Sequence, residues 1–447
     1  MRILVVDDDE LKRADVRRCL EAADLDDEVA IHVAVDYEEA LARLREGFFE
    51  LVILDVLLPG GGNGPSRDFS RALIKKITLG ADLIPPTNII ALTAFPEVGD
   101  DERAFYDEHI FAIETYDANS DVWRDRLVRK IKYLKRAKRA GAEFYRHSFD
   151  FDVLVITARY ENEFVPVKRK LFREITADQH AMWKTPIALG VMPGPGGRML
   201  RTCLVCASEM GMATTAAVAS EAVALFRPRL VSMLGMCCGF DIPEAAVSQQ
   251  LLNAIVVRDA SCWEVGKYEA AVEGTPEFKN RSKARPVDDS LREEIDDIVE
   301  RKVDTLNRDL ERLMANRDMT KLMASPSVQK LLASRAAKQL PRVPDVRFGS
   351  LVSGSSVIAN RDVIKEIVER HPSALGLDME VYGLYTAVEK SLGRRPSMVA
   401  VKGVADFGDA EKSDVAQRAA STVSTVVFRA IVRHLTMFSG RRRAHGE

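Results

Sequence analysis

The chain alternates short apolar runs with amphipathic stretches, and this alternation constrains its fold more than any other feature. Up to about residue 135, five β-rich runs (RILVVDD, AIHVAV, LVILDVLL, NIIALTA and HIFAIE) alternate with stretches of helical periodicity. Such alternation predicts a parallel sheet covered by helices on both faces. The pattern resumes at Phe151 with DVLVITA and continues to SMVAVKGVAD, so a second α/β domain follows.

Composition supports two globular domains. The chain has 447 residues, of which 47% are hydrophobic and 29% charged. This length exceeds the usual size of one domain. We predict a first domain at 1–135 and a second at 151–437. The basic stretch between them, 136–150, predicts a helix end and a linker. Residues 438–447 are predicted to be a disordered basic tail. A charged segment, 288–338, is helical in pattern but too polar for a buried core helix, so we expect it to cover a site or contact a second subunit.

Charge and hydropathy exclude several classes of protein. A formal net charge of -3 gives no general attraction to nucleic acid or an acidic membrane. No apolar run reaches the roughly 18 residues of a membrane helix, and the start lacks a signal-peptide pattern. We therefore expect a cytoplasmic protein with no nucleic-acid or membrane partner. The six cysteines, including Cys203 and Cys206, lie mostly in apolar runs and predict reduced core thiols.

Acidic side chains follow the first and third apolar runs. Asp7 and Asp8 end the first run, Asp55 ends the third, and Thr93 follows the fourth. Because the carboxyl ends of parallel strands meet at one edge of a doubly wound sheet, we expect three carboxylates and a hydroxyl to lie together. Clustered carboxylates suit Mg²⁺, which prefers oxygen ligands. An aspartate at a strand end can also cap a helix or turn, but four such positions favour a metal site.

This half of the chain resembles the receiver domain of two-component response regulators over its whole length. The resemblance implies a flavodoxin-like fold in which Asp7, Asp8 and Asp55 hold Mg²⁺. It also implies that Asp55 accepts a phosphoryl group from a sensor histidine kinase or a phosphorelay protein. Thr93 and Phe111 would then be the switch residues.

One position departs from the receiver pattern. The family carries Lys-Pro after the fifth strand, where this chain has Glu114 and Thr115. A carboxylate repels a phosphate dianion. We therefore expect phosphorylation of Asp55 to be slow, stabilised in another way, or absent.

The second half carries short motifs in a definite order: VLVITARYENEF, SEMGMATTAA, LGMCCG, VSGSSVIAN, LDMEVYG and VKGVADFGD. Each motif alone is weak. Their order and spacing together resemble the nucleoside phosphorylase and nucleosidase superfamily, especially the methylthioadenosine and S-adenosylhomocysteine nucleosidases. The resemblance runs from about residue 152 to 435. It implies a nucleoside phosphorylase-like α/β domain with a mixed central sheet, and hydrolysis that requires no cofactor.

Cleavage of an N-glycosidic bond places positive charge on the sugar and negative charge on the leaving purine. The resemblance implies that Asp406 protonates or hydrogen-bonds N7 of adenine, that Glu380 binds the ribose hydroxyls, and that Met379 packs against the sugar. Glu163 matches the water-activating glutamate, and Glu161 remains a candidate because the loop has one extra residue. A loop carboxylate repels phosphate and favours hydrolysis over phosphorolysis. The alternatives are a helix cap for Asp406 and a solvated carboxylate for Glu380.

Basic side chains of the second half indicate a phosphorylated substrate. Lys267 lies in WEVGKYE, Arg281 in the run FKNRSKAR, and Arg361 follows VIAN. Clustered Arg and Lys recognise phosphates, and Arg can form two parallel hydrogen bonds with them. Gly211 in SEMGMATTAA completes the predicted substrate-binding set. A solvated basic loop is the alternative, because charge runs often only solvate a surface.

A receiver followed by a nucleosidase resembles the effector response regulators of Detocs, the defensive two-component systems against phages. That resemblance implies phosphorylation-controlled hydrolysis of ATP to adenine and ribose 5′-triphosphate by a homo-oligomer. Two alternatives remain open: a nucleosidase acting on methylthioadenosine, S-adenosylhomocysteine or AMP, and a non-catalytic nucleotide-binding signalling protein. Transcriptional regulation is disfavoured because no helix-turn-helix pattern follows the first domain.

Overall fold

The structure, a computed structural model, describes residues 1–22, 29–94, 100–109, 111–269, 277–301, 304–333, 340–409 and 413–439. The chain divides into two compact units, Met1–Phe144 and Tyr145–Glu447. No helix within the described ranges is long and apolar enough to cross a membrane. Phe438, assigned by the sequence to a basic tail, is buried in the core of the second unit. The remainder of that tail, 440–447, lies outside the described residues.

The first unit is a five-stranded parallel sheet with helices on both faces. Its strands are β1 (Arg2–Val6), β2 (Ala30–Ala34), β3 (Leu51–Leu54), the hairpin strands β4 (Leu58–Gly60) and β5 (Asn63–Ser66), β6 (Ile89–Thr93) and β7 (Ala112–Thr115). Its helices are α1 (Glu10–Ala22), α2 (Tyr37–Glu46), α3 (Arg67–Leu79), α4 (Asp100–Glu108) and α5 (Val122–His147). The sheet order β2-β1-β3-β6-β7 is the flavodoxin-like arrangement, with its topological switch point between β1 and β3.

Alternate residues of these strands enter two separate cores. On β1, Leu4 and Val6 face the core that includes Leu73 of α3. Ile3 and Val5 face the core that contains residues of α1 and α5. Because helices cover both faces, the strands are continuous apolar runs, which is why their sequences could be recognised.

All five strands expected from the sequence are present in the first unit. The sequence prediction omitted α4 and the β4–β5 hairpin. The hairpin turns at Gly61 and Gly62, whose φ angles of 59° and 77° favour glycine. The segment 136–150, expected to be a helix end and linker, is helical as far as His147. Its Lys, Arg and Ala residues have high helix propensity, which extends α5 after its apolar contacts end.

The second unit has a larger set of elements. Its strands are β8 (Phe151–Thr157), β9 (Glu174–Ala177), β10 (Ile187–Pro193), β11 (Met199–Cys206), β12 (Pro228–Gly239), β13 (Ala254–Cys262), β14 (Gly266–Glu269), β15 (Glu277–Asn280), β16 (Arg285–Pro286), β17 (Val346–Ser353), β18 (Ala374–Asp378) and β19 (Ser397–Asp406). Its helices are α6 (Val165–Leu171), α7 (Met212–Phe226), α8 (Asp289–Glu300), α9 (Asp304–Met314), α10 (Arg317–Met323), α11 (Pro326–Ala333), α12 (Arg361–Arg370), α13 (Val381–Glu389) and α14 (Asp414–Val432).

The large sheet of this unit is mixed, so the protein is of the α/β class throughout. β12 pairs in parallel with β8 and β19 and antiparallel with β18. β13 pairs antiparallel with β19 and in parallel with β17, which pairs in parallel with β18. The strands β12, β19, β13, β17 and β18 therefore close into a ring. Cys238 pairs with both Asp406 and Leu377, which brings the carboxyl ends of three strands side by side.

The charged segment 288–338 forms α8 to α11 in its described part. Each helix buries an apolar stripe, and Leu291, Leu310, Met319 and Leu331 belong to the main core of the second unit. The segment is helical as predicted, and it reaches the core through these stripes although its helices are not buried on all sides. An amphipathic helix needs only a few apolar residues at helical spacing to form a core-facing stripe.

The cysteines are reduced thiols, as the sequence predicts. Cys203 and Cys206 are free and buried on β11. Burial raises the pKa of both thiols. They are therefore poor metal ligands and act as small core residues.

Candidate active site

A cavity of about 270 Å³ lies in the second unit where β12, β18 and β19 end. Its apolar wall consists of Met210, Met236, Val357, Ile358, Leu377 and Met379. Its acidic residues are Glu163, Asp378, Glu380 and Asp406. The structure thus brings the three carboxylates expected to be catalytic, together with Met379, to one cavity.

Glu163 lies between β8 and α6, and three backbone N–H groups hold its carboxylate. Its Oε2 accepts hydrogen bonds from Ala158 (2.7 Å) and Arg159 (3.0 Å), and its Oε1 accepts one from Met236 (3.0 Å). The side chain is 1% exposed. These bonds orient the carboxylate, and because a carboxylate has about four acceptor positions, Oε1 can accept a further hydrogen bond.

A π-helical turn, Tyr160–Phe164, positions this glutamate. Such a turn contains one more residue than an α-helical turn. Of the two candidate glutamates, Glu163 lines the cavity, whereas Glu161 is exposed.

Gly235 on β12 allows the close approach of Glu163. A Cβ atom on Gly235 would lie 2.0 Å from Oε1 of Glu163. Any side chain at this position would therefore displace the carboxylate or the strand. The sequence showed only a glycine-rich run, and the need for this particular glycine becomes visible from the packing.

A buried lysine links two of the cavity carboxylates. Lys402 Nζ lies 3.1 Å from Asp378 Oδ2 and 3.3 Å from Glu380 Oε2. Asp378 Oδ1 also accepts a hydrogen bond from the Ser353 hydroxyl (2.6 Å). Glu380 Oε1 accepts one from the Gly211 N–H (3.4 Å). Gly211, expected to bind substrate, therefore contacts the carboxylate expected to bind ribose.

Burial and neighbouring charges have opposite effects on the pKa values of Glu380 and Lys402. Burial raises the pKa of Glu380, while the Lys402 ammonium opposes that rise. Burial disfavours the charged form of Lys402, but Asp378 and Glu380 together raise its pKa above the ordinary value. Sequence reasoning missed Lys402 and Asp378, although both lie inside the quoted motifs. A lysine within the apolar strand SMVAVKGVAD was the available signal.

Asp406 is the last residue of β19 and is partly exposed in the cavity. Its Oδ1 accepts a hydrogen bond from the Gly408 N–H (3.1 Å). The following helix, α14, is capped by Ser413, so Asp406 is not its cap. Glu380 is 6% exposed, which excludes the alternative of a solvated surface carboxylate.

The predicted phosphate-binding cations do not line this cavity. Lys267, Lys279 and Arg281, on or next to the β14–β15 hairpin, lie 3.6, 2.8 and 3.6 Å from Glu269. Arg361 is exposed at the start of α12. The structure therefore favours the alternative in which the hairpin's basic run is solvated and paired with its own carboxylate.

Arg159 is the cationic residue among the described residues that line the cavity. Its Nη1 donates to Gln417 Oε1 (3.2 Å), which also accepts from Asn162 Nδ2 (2.8 Å). The guanidinium has five N–H donors in all. Sequence reasoning missed Arg159, which lies two residues after the end of β8, at the start of the acidic loop.

The first unit contains a second cluster of acidic side chains. Oxygen atoms of Asp7, Asp8 and Asp55 lie within 4.8 Å of one another. Thr93, the last residue of β6, is buried. Lys12 of α1, which sequence reasoning did not consider, contacts both Asp7 and Asp55. The strand ends therefore meet as expected, but with a cationic side chain among them.

Phe111 and Glu114 lie on either side of the start of β7. Phe111 is partly buried against the core that contains Tyr106, whose carbonyl accepts the Phe111 N–H (3.0 Å). Glu114 forms an ion pair with Arg126 of α5 (2.8 Å). This pairing partly neutralises the carboxylate at the position where receivers carry a lysine.

No family model matches the chain. Among curated proteins, the uncharacterized protein y4jS of Sinorhizobium fredii is 27% identical over 441 residues, which cover 95% of this chain and 97% of that protein. The ATP nucleosidase Cap17 of Escherichia coli (strain KTE188) is 30% identical over 96 residues, which cover 20% of this chain and 18% of Cap17.

Solved structures similar to the chain include two nucleosidases. The 5′-methylthioadenosine/S-adenosylhomocysteine nucleosidase of Neisseria meningitidis, in complex with methylthio-immucillin-A, has a TM-score of 0.43 and 16% identity, and the match covers 64% of this chain and 99% of that chain. The futalosine hydrolase of Helicobacter pylori strain 26695 has a TM-score of 0.43 and 10% identity, with coverage of 64% and 99%. Each match spans nearly the whole nucleosidase but about two thirds of this chain.

Proposed function

We propose that the second unit is a nucleosidase that hydrolyses the N-glycosidic bond of ATP and releases adenine and ribose 5′-triphosphate. The observation that carries this proposal is the meeting of Glu163, Glu380 and Asp406 at one cavity with a methionine-rich wall. Hydrolysis requires a base for water, an anion near the ribose and an acid near the leaving purine. The three carboxylates can supply these functions.

In the proposed reaction, water attacks C1′ of the ribose. Glu163 takes one proton from the water as the C1′–O bond forms and the C1′–N9 bond breaks. The electron pair of the broken bond goes to the purine, and Asp406 donates a proton to N7 so that adenine leaves neutral. Exchange with solvent then returns both carboxyl groups to their starting states.

The buried cluster stabilises the sugar as positive charge develops on it. Asp378 and Glu380 carry two negative charges when ionised, and Lys402 compensates one of them. One negative charge therefore remains beside the ribose position. Fixed charges in a site that excludes water act strongly and need no reorganisation during the reaction.

The cavity wall supports an adenine nucleotide as substrate. Methionine and aliphatic side chains provide the apolar surface that suits a purine ring. Arg159 brings a guanidinium to the same wall, and guanidinium groups bind phosphate oxygens. The local similarity to Cap17, an ATP nucleosidase, supports ATP.

Adenine release, followed by chromatography, tests this proposal. Purified full-length protein is incubated with ATP, AMP or methylthioadenosine. We expect adenine from ATP, at a rate roughly 10²- to 10⁴-fold lower in Asp406→Asn because the proton donor is lost. Arg281→Met, which removes a cation outside the cavity, is the control and should keep the wild-type rate.

A further variant, Arg159→Met, tests the choice of substrate. It should slow cleavage of ATP and AMP more than cleavage of methylthioadenosine, which lacks phosphate. If adenine were released from methylthioadenosine alone, the substrate would be a compound of metabolic salvage and not ATP. Absence of release from all three would leave a non-catalytic nucleotide-binding protein.

We also propose that the first unit is a receiver whose phosphorylation controls this activity. Support comes from the sheet order β2-β1-β3-β6-β7, from the cluster of Asp7, Asp8 and Asp55, and from the position of Thr93 at the end of β6. A sensor histidine kinase or phosphorelay protein would phosphorylate Asp55. Mg²⁺ held by the three aspartates would neutralise charge on the phosphoryl group.

A further inference from the structure

Lys12 reaches into the acidic pocket of the first unit from the first turn of α1. Its Nζ lies 2.8 Å from Asp7 Oδ2 and 3.0 Å from Asp55 Oδ1. The third ammonium proton is donated to the carbonyl of Leu92 (2.6 Å). The side chain is 2% exposed, so all three of its donors are used inside the protein.

The burial of Asp7 and Asp55 explains why a cation is needed there. Both carboxylates are buried, and burial raises the pKa of each, whereas Lys12 lowers it. A buried ion pair is stable only when its charges are closely paired and hydrogen-bonded. The three side chains therefore form one ionic unit.

The same carboxylates are the oxygen ligands that a divalent cation would use. The oxygens of Asp7, Asp8 and Asp55 are close enough to hold such an ion, so the donor set fits Mg²⁺. The ammonium of Lys12, however, already lies between two of the three carboxylates. A divalent cation in contact with both would be repelled by the ammonium at short range.

The carboxylate of Glu114 on β7 pairs with Arg126 of α5. Within the described part of the chain, Lys12 is the cation seen in contact with Asp55. We propose that Lys12 is the resident cation of this pocket, and that a divalent cation binds there only in competition with its ammonium.

Calorimetric titration of the full-length protein with MgCl₂ and with MnCl₂ tests this competition. Lys12→Met should bind either ion roughly tenfold or more tightly than the wild type, because the repelling charge is gone. Arg17→Met removes a cation from the exposed face of the same helix and should bind as the wild type does. Equal affinities in Lys12→Met and the wild type would overturn the proposal.

Thermal unfolding provides a second readout and a control for folding. Lys12→Met leaves two buried carboxylates without their ammonium, so its Tm should be low without metal and rise with added Mg²⁺ by more than that of the wild type. Lys12→Arg keeps the charge and should retain weak metal binding. Tight metal binding by Lys12→Arg, or no Mg²⁺-dependent rise in Tm for Lys12→Met, would contradict the proposal. Neither measurement uses nucleotide, so the outcome is independent of the proposed nucleosidase activity.

Discussion

At the scale of single residues, the charge state of the cavity depends on Lys402. Its ammonium lies between Asp378 and Glu380 and is fully buried. Without it, two carboxylates would share a desolvated space with no counter-ion, which favours protonation of one of them. The ammonium of Lys402 therefore opposes the neutralisation of Glu380 that burial favours.

The pH dependence of adenine release should reveal this role. Burial raises the pKa of Glu380, so kcat/KM should fall as the pH decreases through that raised value and Glu380 becomes neutral. Lys402 lowers the same pKa, so Lys402→Met should move the acid limb of the profile to higher pH. Lys402→Arg, which keeps the charge, should leave the limb near the wild-type position. An unmoved limb in Lys402→Met would show that another group controls it.

Gly235→Ala tests the placement of Glu163. The new methyl group would lie 2.0 Å from Glu163 Oε1 and would push the carboxylate away from the attacking water. A displacement of about 1 Å at a reacting group can cost about 10²-fold in rate, and we expect a loss of this size in kcat for adenine release. Gly141→Ala in α5, where no atom lies within 4 Å of the new Cβ, is the control and should keep full activity. Full activity in Gly235→Ala would mean that Glu163 is not the base.

At the scale of elements, the charged segment α8–α11 acts as part of the core. The helices α9, α10 and α11 pack with α14, the long helix that follows Asp406 in the chain, and α8 packs with β17. The π-helical turn Tyr160–Phe164 is a second element that matters for the site, because Glu163 lies within it and is buried.

Leu310→Ala tests whether the segment stabilises the second unit. Leu310 is fully buried on α9. Removing its side chain should lower the free energy of unfolding by about 2–5 kcal/mol, the usual cost of a buried Leu→Ala change. Urea denaturation measures this change, with Leu392→Ala as the control because Leu392 is 97% exposed. Equal stabilities of the two variants would indicate that α9 is only loosely attached.

At the scale of the whole molecule, the chain combines an acidic pocket in one unit with a cavity of four carboxylates in the other. The two sites share a design. In each, a fully buried lysine lies between two carboxylates at the carboxyl ends of strands. In each, the lysine sets how much negative charge the site offers to a ligand.

Regulation is testable on the intact protein. Acetyl phosphate with Mg²⁺ should raise the rate of adenine release if phosphorylation of Asp55 activates the enzyme, and Asp55→Asn should remove this response because asparagine cannot form an acyl phosphate. Asp121→Asn, which changes an exposed carboxylate of the same unit, should respond as the wild type does. A response that persists in Asp55→Asn would exclude Asp55 as the control point.

Much of the fold follows from local pattern. Continuous apolar runs identified the strands of the first unit, since both faces of that sheet are covered. The ordered motifs drew attention to Asp406 and Glu380, and the structure brings both to the cavity. The hairpin β4–β5 and the helix α4 were missed because short polar elements have little periodicity.

The sequence by itself determined the main strands of the first unit, most of its helices and the carboxylates that end the strands, because these depend on neighbouring residues and on the period of the backbone. The tertiary structure alone decided the partners of the charges. Lys12 and Lys402 became buried counter-ions, whereas Lys267 and Arg281 paired with Glu269 on a hairpin. The charge of a side chain follows from its residue type, but its partner depends on which distant elements pack together. Burial then decides how strongly the two charges interact.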